Sequence, residues 1–158
     1  MHVDEIMTKN VVTIDSEKSV WDACDVYNNH KIGCLIVIKD EYVNGIVTER
    51  DIIHRVIINQ KDPRNTKISD IMSKDIKSIS PSSDVKDAAE KMSLNNIKKL
   101  PVIADNGDIV GIITITDIAN MLPDLLKYDP DVKDIEFFKN TINKFHKTTI
   151  SNSKNDLS

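Results

Sequence analysis

The sequence predicts a mixed α/β fold of two pseudo-symmetric β-α-β-β-α units, followed by an amphipathic helix at the C-terminus. Three observations predict it. The stretch Asn44-Gly45-Ile46-Val47-Thr48-Glu49-Arg50-Asp51 recurs as Val110-Gly111-Ile112-Ile113-Thr114-Ile115-Thr116-Asp117. The chain repeats around it: at a shift of 65, Ile6-Met7 meets Ile71-Met72, Asp22-Ala23 meets Asp87-Ala88, and Val37-Ile38 meets Val102-Ile103. One residue more near Gly107 raises the shift to 66, at which Gly45, Thr48, Asp51 and Ile52 meet Gly111, Thr114, Asp117 and Ile118. Finally, Ile135, Phe138, Ile142 and Phe145 recur at steps of three and four, the period of a helix with one apolar stripe. Two repeats of roughly 55 residues are too few for a solenoid, and each is small for an independent core. The two are therefore expected to bury their apolar faces against each other.

The first repeat spans 3–59. It opens with a short helical lead-in at 3–8 and a β-branched strand from Val11 to Ile14. Ser19 caps a helix whose Val20, Ala23, Cys24 and Tyr27 follow the i, i+3, i+4, i+7 pattern of a buried stripe. Leu35-Ile36-Val37-Ile38 is a continuous apolar strand, as burial on both faces requires. Lys39-Asp40-Glu41 turns the chain into the strand Tyr42–Val47, and Thr48 opens a helix carrying Ile52, Ile53, Val56 and Ile57. Residues 60–67 are polar, contain Pro63 and lack periodicity, so they read as a linker.

The second repeat, 68–122, copies the first. A lead-in at 68–72 precedes a strand from Ile76 to Ile79, and Asp84 caps a helix with Val85, Ala88, Ala89 and Met92 on one face. Pro101 stands near the start of the strand Leu100–Ile103, where a missing N–H is tolerable. Asp105-Asn106-Gly107-Asp108 is a turn, Ile109–Ile113 the last strand, and Thr114 the start of the last helix. The tail, 123–158, differs: a helix over about 131–146 holds Phe137, Phe138 and Phe145, all three phenylalanines, and 148–158 is polar and expected to be disordered.

Composition narrows the function. A net charge of −4 argues against a general nucleic-acid binder. No apolar run reaches membrane-spanning length and no secretory segment leads the chain, so a cytoplasmic protein is expected. Cys24 and Cys34 suggest no disulfide framework, and His2, His30, His54 and His146 are scattered without ligand spacing, so no metal site is expected. No nucleophile–base pair and no phosphate loop is visible, and with four glycines the chain has little material for such loops. Catalysis is therefore not expected.

In each apolar-strand-Thr-x-x-Asp segment, Thr is a good N-cap and Asp falls in the first helical turn. Both Asp residues could simply support capping. They also suit a ligand: a carboxylate can accept two hydrogen bonds from a vicinal diol, and Thr hydroxyls and first-turn N–H groups suit phosphate or ribose oxygens.

These motifs resemble the cystathionine β-synthase (CBS) domain over about residues 3–122. The resemblance rests on Ile6-Met7 and Ile71-Met72, the helices containing Ala23 and Ala88, Leu100-Pro101-Val102-Ile103, and the Gly-apolar-apolar-Thr-x-x-Asp segments at 45–51 and 111–117. The first repeat departs from it at Ile36, where the second has Pro101. The resemblance implies two CBS units packed through their sheets, with clefts that bind AMP, ADP, ATP, S-adenosylmethionine or relatives. It implies a sensor that acts as a homodimer on a regulated protein and needs no catalytic cofactor; from the charge and the hydropathy, neither a membrane nor a nucleic acid is expected as partner.

Carried over residue by residue, the family pattern implies two clefts. The first groups Thr114 and Asp117 with Met7, Val12, Thr13, Ile32, Gly33 and Cys34; the second groups Thr48, Arg50 and Asp51 with Met72, Lys77, Ser78, Ile97, Lys98 and Lys99. A phosphate ester needs cations or N–H donors, because an unpaired charge in a cleft is expensive. The lysines therefore assign a nucleotide with phosphates to the second cleft. The first is left empty or given a less anionic ligand, S-adenosylmethionine or methylthioadenosine. An exposed loop would equally carry Lys98 and Lys99 as solvated lysines, and Arg50 could point to solvent. The competing function is a scaffold with vestigial clefts that acts through its C-terminal helix.

Overall fold

A computed structural model of the protein describes residues 1–128 and 133–155, with the side chains of the final helix described as far as His146. In chain order the elements are α1 (Val3–Ile6), β1 (Thr13–Asp15), α2 (Val20–Asn29), β2 (Cys34–Lys39), β3 (Tyr42–Thr48) and α3 (Glu49–Ile52), which runs into a π turn (Ile53–Ile57). Then follow α4 (Ile68–Ile71), α5 (Val85–Asn95), β4 (Lys99–Ile103), β5 (Ile109–Thr114), α6 (Ile115–Tyr128) and α7 (Ile135–Asn155). The fold is mixed α/β with two small sheets. No helix of the described residues is long and apolar enough to cross a membrane.

Two compact units are present, and each exchanges its lead-in with the other repeat. The smaller unit comprises Asn10–Lys77 with Gly107–Ile109; the larger comprises Met1–Lys9, Ser78–Asn106 and Val110 onward. Thus α4, the lead-in of the second repeat, belongs with the strands of the first, and α1 with those of the second. The backbone bonds match at a shift of 65. Val3 N–H donates to Ser83 O at 2.9 Å and Ile68 N–H to Lys18 O at 2.9 Å; Val85 N–H donates to Met1 O at 3.1 Å and Val20 N–H to Thr66 O at 2.8 Å.

In the smaller unit β1 pairs parallel with β2, and β2 antiparallel with β3, placing Cys34 opposite Thr48. Leu35, Val37 and Val47 form its core with Val20, Ala23, Ile52, Val56, Ile68 and Ile71. Ser19 accepts the Asp22 N–H and starts α2, as its sequence position predicts. Ile52 and Val56 are buried four residues apart, across the π turn, whereas Ile118 and Met121 of α6 are buried three apart.

In the larger unit β4 pairs with β5 alone, and the strand expected over Ile76–Ile79 shrinks to one parallel bridge between Ile79 and Val102. Proline explains the loss. In the smaller unit Ile36 N–H donates to Val12 O at 3.2 Å and extends the ladder. Pro101 occupies the equivalent position and has no N–H to give Lys77 O. The turn expected around Gly107 is present, with φ +88° at that glycine, a conformation that glycine adopts without penalty.

The C-terminal region differs from expectation in extent. α6 continues through Pro123 to Tyr128, and α7 begins at Ile135 and continues to Asn155, since no Gly or Pro interrupts it. Positions 131–132 of the expected helix, and 156–158 of the expected disordered end, lie outside the described residues. The apolar stripe of α7 packs on its own unit: Phe138 and Phe145 are each 4% exposed and share a core with Val85, Ala89, Met92, Ile118 and Met121.

Candidate functional site

Each Thr-x-x-Asp segment forms a reciprocal cap at a strand-to-helix junction. Thr48 N–H donates to Asp51 Oδ2 at 2.9 Å, Thr48 Oγ1 donates to the same oxygen at 3.1 Å, and Asp51 N–H donates to Thr48 Oγ1 at 3.2 Å. Thr114 and Asp117 repeat this at 2.7, 2.8 and 3.1 Å. Ser19 and Asp22 make the same box at 3.0, 3.0 and 3.1 Å, so capping alone does not mark a ligand site. Burial separates them: Asp22 is exposed, whereas Asp51 and Asp117 are half-buried. In both half-buried carboxylates Oδ2 makes the cap and Oδ1 takes no part in it.

The surroundings of the two carboxylates differ. Arg55 Nη2 stands 3.7 Å from Asp51 Oδ1, and the same guanidinium donates to Ile71 O at 2.6 Å and Ser73 Oγ at 3.3 Å. It therefore ties the end of α4 to the helix that carries Asp51. The equivalent of Arg55 beside Asp117 is Met121, which is buried and apolar. Sequence reasoning passed over Arg55, although its i, i+4 spacing from Asp51 was a legible signal. Tyr27 completes this neighbourhood: its hydroxyl donates to Val47 O at 2.7 Å. Burial pushes its phenol well above the ordinary tyrosine range, and Cys34, Glu49 and Asp51 act in the same direction.

The structure places the sequence-derived candidates as follows. Met7 lies in the larger unit with Thr114 and Asp117: an added Cβ on Gly111 of β5 would stand 2.5 Å from its sulfur. Met72 lies in the smaller unit with Thr48, Arg50 and Asp51, over Gly45 of β3 in the same way. Val12, Thr13, Ile32, Gly33 and Cys34 also belong to the smaller unit. Lys77 belongs there too, 3.3 Å from Asp75. Ser78, Ile97, Lys98 and Lys99 belong to the larger unit, where Lys98 O accepts Ile115 N–H at 2.8 Å and Ser78 O accepts Lys91 Nζ at 2.6 Å. The Thr114–Asp117 turn thus adjoins the Lys98–Lys99 segment of its own repeat, and the Thr48–Asp51 turn adjoins Cys34.

A family model for the CBS domain matches the chain twice, over residues 3–58 and 68–124. The chain belongs to the CBS domain family. This CBS pair is 31% identical over 126 residues to an uncharacterized protein of Methanopyrus kandleri, covering 78% of this chain and 64% of that one, so it spans slightly less than two thirds of that relative. Among solved structures it resembles TA0289, a conserved CBS domain protein of Thermoplasma acidophilum, with a TM-score of 0.72, 32% identity, and coverage of 94% of this chain and 77% of that one. It also resembles the CBS domain pair of protein MJ0100, solved in complex with 5'-methylthioadenosine and S-adenosyl-L-methionine, with a TM-score of 0.70, 29% identity, and coverage of 78% and 97%.

Proposed function

We propose that this CBS pair is a regulatory module that binds an adenosine-containing small molecule through its Thr-x-x-Asp turns and signals by a change of conformation. One observation carries the reading. Each turn holds a half-buried carboxylate with one oxygen committed to the cap and the other outside it, an arrangement suited to a ribose diol. The cations Arg50, Lys77, Lys98 and Lys99 favour AMP, ADP or ATP. Lys77, Lys98 and Lys99 paired with Thr48 and Asp51 would give phosphates their counter-charge; Lys98, whose carbonyl accepts Ile115 N–H, stands close enough to the Thr114–Asp117 turn to serve that turn as a second candidate. A second reading, S-adenosylmethionine or methylthioadenosine, is favoured by the ligands of the MJ0100 pair. On either reading the chain acts on a regulated protein, as a homodimer, and performs no chemical step itself.

The test is thermal stability and calorimetric titration with AMP, ADP, ATP, S-adenosylmethionine and methylthioadenosine. A ligand at about 100 times its dissociation constant adds about 2.7 kcal/mol to stability. Asp51→Asn and Asp117→Asn keep an oxygen for the cap while removing the charged diol acceptor. Loss of binding in either variant, with unchanged melting of the free protein, assigns that turn to the ligand. Lack of stabilisation by all five compounds leaves the scaffold reading in place.

A further inference from the structure

The lead-ins of the two repeats are seated by matching contacts. Ser73 and Ile46 exchange backbone bonds at 2.9 and 3.0 Å, as Thr8 and Ile112 do at 2.9 Å each. Met72 and Met7 lie over Gly45 and Gly111 in the same way. Arg55 breaks the match. It lies in the π turn Ile53–Ile57, a departure from regular helix of a kind that recurs at functional sites, whereas its equivalent, Met121, lies within the α-helix α6.

The Arg55 guanidinium faces three groups. Ile71 is the last residue of α4, and the last carbonyls of a helix have no partner within it; Arg55 Nη1 donates to Ile71 O at 2.6 Å. Nη2 donates to Ser73 Oγ at 3.3 Å and stands 3.7 Å from Asp51 Oδ1. That last separation is an ion pair and not a hydrogen bond, so Oδ1 keeps its lone pairs for a ligand while its charge steadies the guanidinium. The Asp51 side chain is 17% exposed and that of Arg55 45%, so the attraction is only partly screened by water. In the larger unit Met121 has no donor for Ile6 O or Thr8 and no charge for Asp117.

Resting on the reading of the Thr-x-x-Asp turns as ligand sites, we propose that Arg55 is a positioning residue that transmits the state of Asp51 Oδ1 to the end of α4, and that the Asp117 turn has no such link. A ribose diol that donates to Oδ1 spreads the negative charge that steadies Arg55. The guanidinium then slackens, and Ile71 O and Ser73 lose part of their hold. The segment so loosened, 72–77, is the stretch by which the chain leaves the smaller unit. A ligand at Asp51 therefore changes how that segment is seated, whereas a ligand at Asp117 binds without this consequence.

Amide hydrogen exchange of the full-length chain, followed by NMR, tests the link without any ligand. The Ser73 amide, bonded to Ile46 O, is read as a ratio to the Ile36 amide, bonded to Val12 O, which reports opening of the whole unit. Asp51→Asn keeps an oxygen for the cap but removes the charge that steadies Arg55. It should quicken Ser73 relative to Ile36 about threefold, the size of a partly exposed ion pair. Arg55→Met, which copies the larger unit, should quicken it about tenfold and leave Asp51→Asn without further effect. Asp117→Asn should leave the Thr8 amide, bonded to Ile112 O, unchanged. An unchanged Ser73 ratio in Asp51→Asn overturns the proposal. So does an acceleration that survives in the Arg55→Met background, since the cap then carries it, or an equal acceleration of Thr8 in Asp117→Asn. The comparison of the two Asn variants needs no change at Arg55, so it decides the matter even where Arg55→Met does not fold. Calorimetry with AMP and S-adenosylmethionine runs beside it: failure of both to bind counts against the ligand-site reading alone, because exchange decides the link between Asp51 and α4.

Discussion

A Cβ added to Gly45 would stand 2.5 Å from the sulfur of Met72 and 3.0 Å from Ser73 O. The lead-in therefore rests directly on the backbone of β3, and Gly111 meets Met7 and Thr8 O equivalently. The thioether can shift; the carbonyl is fixed by Ile46, whose N–H donates to Ser73 O at 3.0 Å. Gly45→Ala should destabilise the smaller unit by about 1–3 kcal/mol. Combining it with Met72→Ala should cost less than the sum of the single changes in denaturant unfolding. An additive cycle would show that the two residues do not touch.

The caps give a second prediction. Asp51→Ala and Asp117→Ala should each lower stability by about 1 kcal/mol, and the Asn variants by clearly less, because an amide oxygen can accept the Thr N–H. Chemical denaturation of the four variants distinguishes them. Equal losses for Ala and Asn would mean that the carboxylate charge, and not the cap, stabilises the turn.

Tyr27 predicts the alkaline behaviour. Burial raises its folded pKa, so the unfolded chain gives up the phenolic proton first, near the ordinary value of 10.0. The neutral hydroxyl thus contributes stability that is complete below about pH 10 and declines as pH rises beyond it. Tyr27→Phe should cost about 1 kcal/mol at neutral pH through loss of the bond to Val47 O. It should then show a shallower fall between pH 10 and 11 than the parent, measured by denaturant midpoints.

Phe138 and Phe145 make α7 part of the larger unit's core. Phe138→Ala or Phe145→Ala should cost about 3–5 kcal/mol in that unit. Hydrogen exchange locates the loss: amides of α5 should lose protection, and those of α2 should keep theirs. Equal deprotection of both helices would mean that the units unfold as one.

The sequence made the repeat, the order of elements and the helix starts legible, because each has a local cause. Ser19, Thr48, Asp84 and Thr114 cap where their types predict. What was not legible depended on partners distant in the chain. Whether Val3 bonds Ser83 or a neighbour within its own repeat is not written in the lead-in, whose apolar pattern fits either sheet. The loss of the Ile76–Ile79 strand was decided by Pro101, twenty-odd residues away and visible, but not aligned with Lys77 O until the register was known. Arg55 escaped notice because its role joins Asp51 to Ile71 O across the linker. The Thr-x-x-Asp turns stood out by duplication, whereas the closeness of Lys98 to the start of α6 needed the bond from Ile115 N–H to Lys98 O.

The exchanged lead-ins also set an order for the nascent chain. Apart from Gly107–Ile109, the smaller unit is continuous from Asn10 to Lys77, so it can close as soon as that segment has left the ribosome. The first nine residues cannot. His2 and Val3 bond Ser82 and Ser83, and His2 is separated from Ser82 by 80 positions. At about 5–20 residues per second they wait several seconds for their partners. During that wait the buried side chain of Val3 and the Met7 thioether have nowhere to go. Closing so long a loop is entropically dearer and slower than the local pairings of the smaller unit. Residues 1–9, made well before their partners, are thus among the last to be seated.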